Sequence, residues 1–189
     1  MSHQLNETEQ KILLKIAREA LEDCVRGDPL TSLKLEQLPD RLRENGASFV
    51  TLTIDDRLRG CIGTLEAYQP LAGDVQEHAV AAALQDFRFP KVQPRELSAI
   101  NIEISVLTPR TPLHYDNPED LAHKLRPGVD GVVLQDGYRK ATFLPQVWEK
   151  LPDPEEFLAQ LCLKMSAPAD LWRTKPLQVF IYQVQNFHE

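Results

Sequence analysis

Three cysteines in 189 residues, none in a C-x-x-C pair, exclude a disulfide framework and are too few to hold a four-cysteine iron–sulfur cluster. Cys24 and Cys162 fall in helical patterns among apolar neighbours, where a thiol behaves as a small hydrophobe. A reducing, cytoplasmic setting is the expectation. No apolar run approaches the ~18 residues that a membrane-spanning helix needs. The opening residues Met1 to Glu7 have neither a basic nor an apolar signal region, so no signal peptide is expected. Positive charge is in short supply, with a formal net charge of −7 and a pI near 5.3. A broad nucleic-acid surface needs the opposite balance, which makes nucleic-acid binding the least favoured function even though Arg57, Arg59, Arg88, Lys91 and Arg95 cluster in sequence. No set of His, Cys, Asp and Glu has metal-ligand spacing. A glycine-rich phosphate loop, a dinucleotide fingerprint and a G-x-S-x-G elbow are likewise missing. Neither a metal nor any other cofactor is expected.

With 42% hydrophobic and 26% charged residues, the chain has an ordinary globular composition and enough length to bury a real core. Asn6 and Glu9 form a plausible capping box for a helix to Val25, which Gly27-Asp28-Pro29 ends. Residues 31–44 read as a connection with a short helix. Phe49 to Ile54 alternates as a strand, and after Asp55-Asp56-Arg57 the stretch Leu58 to Leu65 returns as its hairpin partner. Pro70 opens an alanine-rich helix through Leu84, and Ile100 to Leu107 alternates cleanly. Prolines 109, 112 and 118 then break the pattern, marking a subdomain boundary near Thr108. Beyond it come a hairpin turning at Asp136-Gly137, an amphipathic helix from Pro154 to Met165, and a closing strand from Leu177 to Phe187 with an irregularity near Gln183. Hairpins interleaved with helices, rather than strict βαβ units, make the fold class α+β with mainly antiparallel sheets.

The segment Leu58-Arg59-Gly60-Cys61-Ile62-Gly63 carries the chemistry. In an extended strand Arg59, Cys61 and Gly63 share one face, while Leu58, Gly60 and Ile62 share the other. The β-carbons of Arg59 and Cys61 would then stand roughly 7 Å apart, where a guanidinium can stabilise a thiolate. Gly63 is expected to leave an open slot on that face for a ligand or another backbone, and Thr64 adds a hydroxyl. The structural alternative stays open: Cys61 as a small packed residue, with glycines making room for the alanine-rich helix. A thiol nucleophile also wants an oriented base. Of His3, His78, His114, His123 and His188, only His78 lies close in sequence, and no Cys–His pair is assigned. Glu66 and Glu103 are other polar partners, with Glu103 and Ser105 on the polar face of a neighbouring strand. Where the long helix ends, Asp86 and Arg88 can tie the turn as an ion pair. Folded over the motif strand, Arg88 would bring a second cation, favouring a carboxylate or phosphate ligand.

Taken together, Phe49-Val-Thr-Leu52, Leu58-Arg-Gly-Cys-Ile-Gly-Thr64, Asp86-x-Arg-Phe-Pro90, Glu103-Ile-Ser-Val-Leu-Thr-Pro109, Pro127-Gly128 before Gly131-Val-Val133, Leu144-Pro-Gln-Val147, Glu156-Phe-Leu158 and Leu161-Cys-Leu-Lys164 resemble the AMMECR domain family. Its bacterial and archaeal members are called AmmeMemoRadiSam system protein A. The resemblance covers residues 10–187, and its motif set is specific. It implies a larger part of residues 1–108 and 166–189 and a smaller inserted part of residues 109–165, with a polar cleft between them. It also implies, as partners in kind, a Memo-like protein and a radical SAM enzyme, and it carries over Arg59, Gly60, Cys61, Gly63, Thr64, Asp86, Arg88, Glu103 and Ser105 as site residues. His78 does not match a family histidine.

Two functions are therefore carried forward. One is an enzyme or enzyme component acting on a small anionic substrate, with Cys61 and Arg59 catalytic and the other seven residues binding. The other is a non-catalytic binding or carrier subunit of the same system.

Overall fold

The computed structural model describes residues 4–189, so His3 lies outside the described residues. The chain divides into two compact units, one running to Thr108 and taking back Gln185–Glu189, the other Pro109–Val184.

In the first unit, helix α1 (Glu7–Arg26) starts at the expected capping box. Asn6 accepts from the Glu9 amide, and Glu9 accepts from the Asn6 amide. It ends at Gly27, whose φ of 80° suits a residue without a side chain. Residues 31–44 contribute a 3-10 turn and helix α2 (Asp40–Arg43). Strand β1 (Asn45–Ile54) and β2 (Arg57–Gly63) form the hairpin, turning on Asp55 and Asp56, which both take positive φ. The short β3 (Gln69–Pro70) leads into α3 (Leu71–Leu84), and β4 (Asn101–Leu107) follows a 3-10 turn at Pro94–Ala99. With the final strand β9 (Val184–His188) the sheet order is β2-β1-β4-β9, and β3 pairs with β1. Leu13, Ala17 and Leu21 of α1, Val75, Ala79 and Ala82 of α3, and Val50, Leu52, Ile102 and Ile104 of the sheet make one continuous core. Each such leucine or isoleucine contributes about 1.5–3 kcal/mol on burial.

The second unit is an antiparallel sheet ordered β5-β8-β6-β7, built from β5 (Thr111–Pro112), β6 (Gly131–Asp136), β7 (Arg139–Phe143) and β8 (Gln178–Tyr182). Helices α4 (Pro118–Lys124), α5 (Pro154–Lys164) and α6 (Leu171–Thr174) accompany it. Its core centres on Trp148 stacked on Phe157 at 3.7 Å.

Two details differ from expectation. The β6–β7 turn is Gly137-Tyr138, not Asp136-Gly137, because Asp136 still pairs with Arg139. Only Gly137 takes positive φ, the pattern of a two-residue turn with glycine first. Residues 166–184, expected with the larger part, lie in the second unit because β8 pairs with β5 and β6. The irregularity near Gln183 is where the chain leaves one sheet for the other. The mixture of helices with two antiparallel sheets is an α+β fold. Among the described residues no helix is long and apolar enough to cross a membrane.

Candidate functional site

The site is set by a register shift. With Ile54 opposite Arg57, a regular hairpin would place Cys61 opposite Val50, on the core side. Instead Leu52 pairs with Gly60 while Thr53 pairs with Leu58, leaving Arg59 as the extra residue of a β-bulge. From there on the pairing moves by one residue, and Cys61 stands opposite Thr51. Thr51 in turn faces Glu103 on β4, so Cys61, Thr51 and Glu103 form one cross-strand row on the face turned away from the helices. The next row is Gly63, Phe49 and Ser105. Gly60 and Ile62 fall on the helix side with Leu52 and Val50. Leu58, expected with them, lies on the other side of the bulge and is 43% exposed.

The bulge also re-aims Arg59. Its Nε and Nη2 donate to the two carboxylate oxygens of Glu96 at 2.8 and 3.1 Å, and Nη1 donates to the Pro90 carbonyl at 2.7 Å. The guanidinium expected beside the thiol therefore clamps the segment after α3 onto β2. Glu96, which also caps the 3-10 turn through the Gln93 amide, is held below the usual carboxylate range chiefly by its bond from Arg59.

Around Cys61 three contacts converge. Thr51 Oγ1 donates to Cys61 Sγ at 3.3 Å. The Cys61 amide donates to Asp86 Oδ2 at 2.9 Å, and Arg88 Nη2 donates to the Cys61 carbonyl at 3.1 Å. Among the described residues β2 pairs with β1 alone, so no strand lies along its outer edge at Cys61. The Asp86–Arg88 pair supplies there the acceptor and donor that another strand would supply. Asp86 is buried and takes three further bonds from Arg88, from the guanidinium through Nε at 2.9 Å and Nη2 at 2.6 Å and from the Arg88 amide at 3.2 Å. The guanidinium bonds hold its carboxyl far below the ordinary range, against desolvation, with help from the amides of Cys61 and Arg88. The Arg88 guanidinium is raised, first by its bond to Asp86 and to a smaller extent by the Cys61 thiol. Arg88 is thus a cation beside this sulfur, and the turn at residues 86–90 does fold against the motif strand.

The remaining expected residues are placed less evenly. Gly63 offers no open slot: a β-carbon there would run into the Phe49 ring and backbone and the Ser48 carbonyl. The aromatic ring of the cross-strand partner covers the bare glycine. Gly60 packs on helix backbone, since a β-carbon there would lie under 3.0 Å from the Ala82 carbonyl oxygen. The Thr64 hydroxyl accepts from the Glu66 amide at 3.1 Å and so closes a turn. Glu103 is partly buried and its side chain has neither a hydrogen bond nor an ion pair among the described residues, and Ser105 is buried in its row.

His78 belongs to a different constellation. On the helix side of β1, Ser48 Oγ donates to the buried Asp74 Oδ2 at 2.6 Å, and His78 Nδ1 lies 3.2 Å from that same oxygen. The imidazole is close enough to pair electrostatically but is not aligned for a hydrogen bond. Sequence reasoning missed Thr51, Glu96, Ser48 and Asp74 as partners. The first two depend on the bulge and on the chain's path after α3, for which the sequence carries no periodic signal.

The family model described as AMMECR1 matches residues 14–187. A protein of Methanothermobacter thermautotrophicus is 41% identical over 186 residues, covering 98% of this chain and 96% of its own. Protein MJ0810 of Methanocaldococcus jannaschii is 34% identical, covering 93% and 88%. In three dimensions the chain is similar to the crystal structure of an uncharacterised protein, PH0010, from Pyrococcus horikoshii. That likeness has a TM-score of 0.84 and 32% identity, over 98% of this chain and 93% of that one.

Proposed function

This chain belongs to the AMMECR1 family, and on that premise we propose that it is a component of a small-molecule enzyme with Cys61 as its reactive group. The observation that carries the proposal is the bulge at Arg59, which turns Cys61 out of the core and under the Thr51 hydroxyl. In this reading the Cys61 thiolate adds to an electrophilic carbon of an anionic substrate, the displaced bond pair moving onto that carbon's oxygen or its leaving group, and Thr51 steadies the sulfur. Arg88, half-exposed beside it, receives the substrate's negative group, with Glu103 as the nearest carboxylate along the row. Arg59 and Gly60 are positioning residues. The expected associates are a Memo-like protein and a radical SAM enzyme, in a reducing cytoplasm.

Selective alkylation tests it. Burial and the neighbouring Asp23 push the Cys24 thiol up to about 11, and burial raises that of Cys162. From an ordinary value of 9.0, the shift at Cys24 removes roughly a hundredfold of thiolate at neutral pH. Iodoacetamide at pH 7.5 (about neutral) is expected to give one adduct, at Cys61, and Thr51→Val is expected to slow it severalfold. Labelling of Cys24 as fast as Cys61, or no effect of Thr51→Val, would sink the proposal.

A second reading, a non-catalytic carrier subunit, is favoured by the internal pairing of Arg59 with Glu96 and of Arg88 with Asp86, and by the absence of a histidine among the contacts described for the sulfur. The two separate on Cys61→Ser: loss of turnover in the assembled system supports the enzyme component, and full turnover supports the carrier.

A further inference from the structure

The second unit carries a pocket of about 600 Å³ between the β5–α4 connection and the segment from α6 into β8. That volume falls within the range of small-molecule sites. Leu113, Tyr115 and Phe180 give it an apolar and aromatic lining. The Tyr115 hydroxyl is already used, donating to the Leu177 carbonyl and accepting from the Leu177 amide. The phenol therefore presents ring rather than polar surface.

Charge at the lining is lopsided. His114, Arg173 and Lys175 can carry positive charge, against Asp116 as the one carboxylate among the lining residues. The guanidinium of Arg173 lies over the Trp172 ring at 4.6 Å, which fixes its plane. Its ion pair with Glu155 is half-exposed on both sides. Lys175 bonds Asp136 at 2.6 Å, but Asp136 keeps Arg139 at 3.0 Å if Lys175 leaves. The exposed Arg173–Glu155 pair is weakly held, so Arg173 can exchange its partner for a ligand carboxylate at little cost, while Lys175 would leave the largely buried Asp136 carboxylate to Arg139.

We propose that this pocket binds a small aromatic carboxylate, with its ring against Tyr115 and Phe180 and its carboxylate on Arg173 and Lys175. The site is separate from Cys61 and stands or falls independently of it.

The experiment is an amide-resolved NMR titration of the full chain with indole-3-acetate and, in parallel, with its neutral analogue indole-3-acetamide. The acetate is expected to cause saturable shifts confined to residues 112–118 and 172–180 and to bind about tenfold tighter than the amide. Arg173→Ala and Lys175→Ala are each expected to weaken the acetate severalfold while leaving the amide unchanged, and Arg173→Lys to restore part of the loss. Equal binding of acid and amide would overturn the proposal. So would shifts centred elsewhere, no saturable shift, or variants that bind like the parent.

Discussion

Alanine at position 60 is expected to destabilise the first unit by about 3 kcal/mol or more, at or above the upper end of ordinary overpacking. The added β-carbon would meet the Ala82 carbonyl oxygen, an atom of helix backbone that cannot rotate aside. Relief requires β2 and α3 to separate. That motion also pulls at the Asp86 contact to the Cys61 amide, because Asp86 directly follows Gln85, the C-cap of the same helix. Gly73, on the same helix, makes the opposite case. A β-carbon there meets the far end of the Gln69 side chain, Oε1 at 3.5 Å and Cδ at 3.9 Å, which are ordinary contacts. Gly73→Ala is therefore expected to stabilise the chain by about 0.5–1 kcal/mol through helix propensity alone. Thermal melts followed by circular dichroism separate the two: a fall of roughly 6–12 °C for Gly60→Ala and a rise of a few degrees for Gly73→Ala. A Gly60→Ala protein that melts with the parent would mean that strand and helix are not packed this closely.

The elements were legible where a local rule decides them. Asn6 with Glu9 fixed the start of α1 and Gly27 its end, and both act through hydrogen bonds made within a few residues. The alternation in β4 followed from one buried sheet face, and Pro70 with the alanines placed α3. Failures came where long-range pairing decides. Gly137 is identified easily as a turn residue, but whether it is the first or second residue of the turn depends on how β6 and β7 align. From sequence the closing stretch Leu177 to Phe187 reads as one strand with an irregularity near Gln183. The apolar step from Ile181 to Val184 breaks the alternation at Gln183, but only the pairing of the two halves in different sheets shows that they are two strands.

The candidate site divides in the same way. That Cys61 and Gly63 share one face and Gly60 and Ile62 the other agrees with the residue pattern, whereas which face turns away from the helices is decided by the bulge. The role of Arg59 did not come through, because alternation assumes a regular strand and the bulge falls at that residue. Nor could Glu96 be recognised as its partner, since the two are 37 residues apart. The slot expected at Gly63 failed for a related reason. A glycine marks a place where something approaches closely, and here that something is Phe49 of the adjacent strand.

Asp86→Asn is expected to cost about 2–3 kcal/mol at pH 7, somewhat less than the 3–5 of a fully buried pair because Arg88 is half-exposed. Four donors point at this carboxylate: the amides of Cys61 and Arg88, and Nε and Nη2 of Arg88. An amide side chain must turn its own NH2 toward one of these groups, so one buried donor loses its acceptor whichever way the side chain flips. The pH dependence gives the charge contribution directly. The Asp86 carboxyl is depressed in the fold, while an unfolded aspartate titrates near 3.9 (about the model-peptide value). Its contribution is thus fully present above the unfolded value and is lost as pH falls through the range below about 4 toward the folded one. Unfolding free energies measured across this range should differ by a constant amount from about pH 5 to 8, and the gap should narrow below about pH 4. A gap that persists unchanged in acid would assign the effect to shape rather than charge. If the parent and variant are equally stable at neutral pH, Asp86 does not hold the free edge of β2, and Cys61 must be kept in place by the β1 pairing alone.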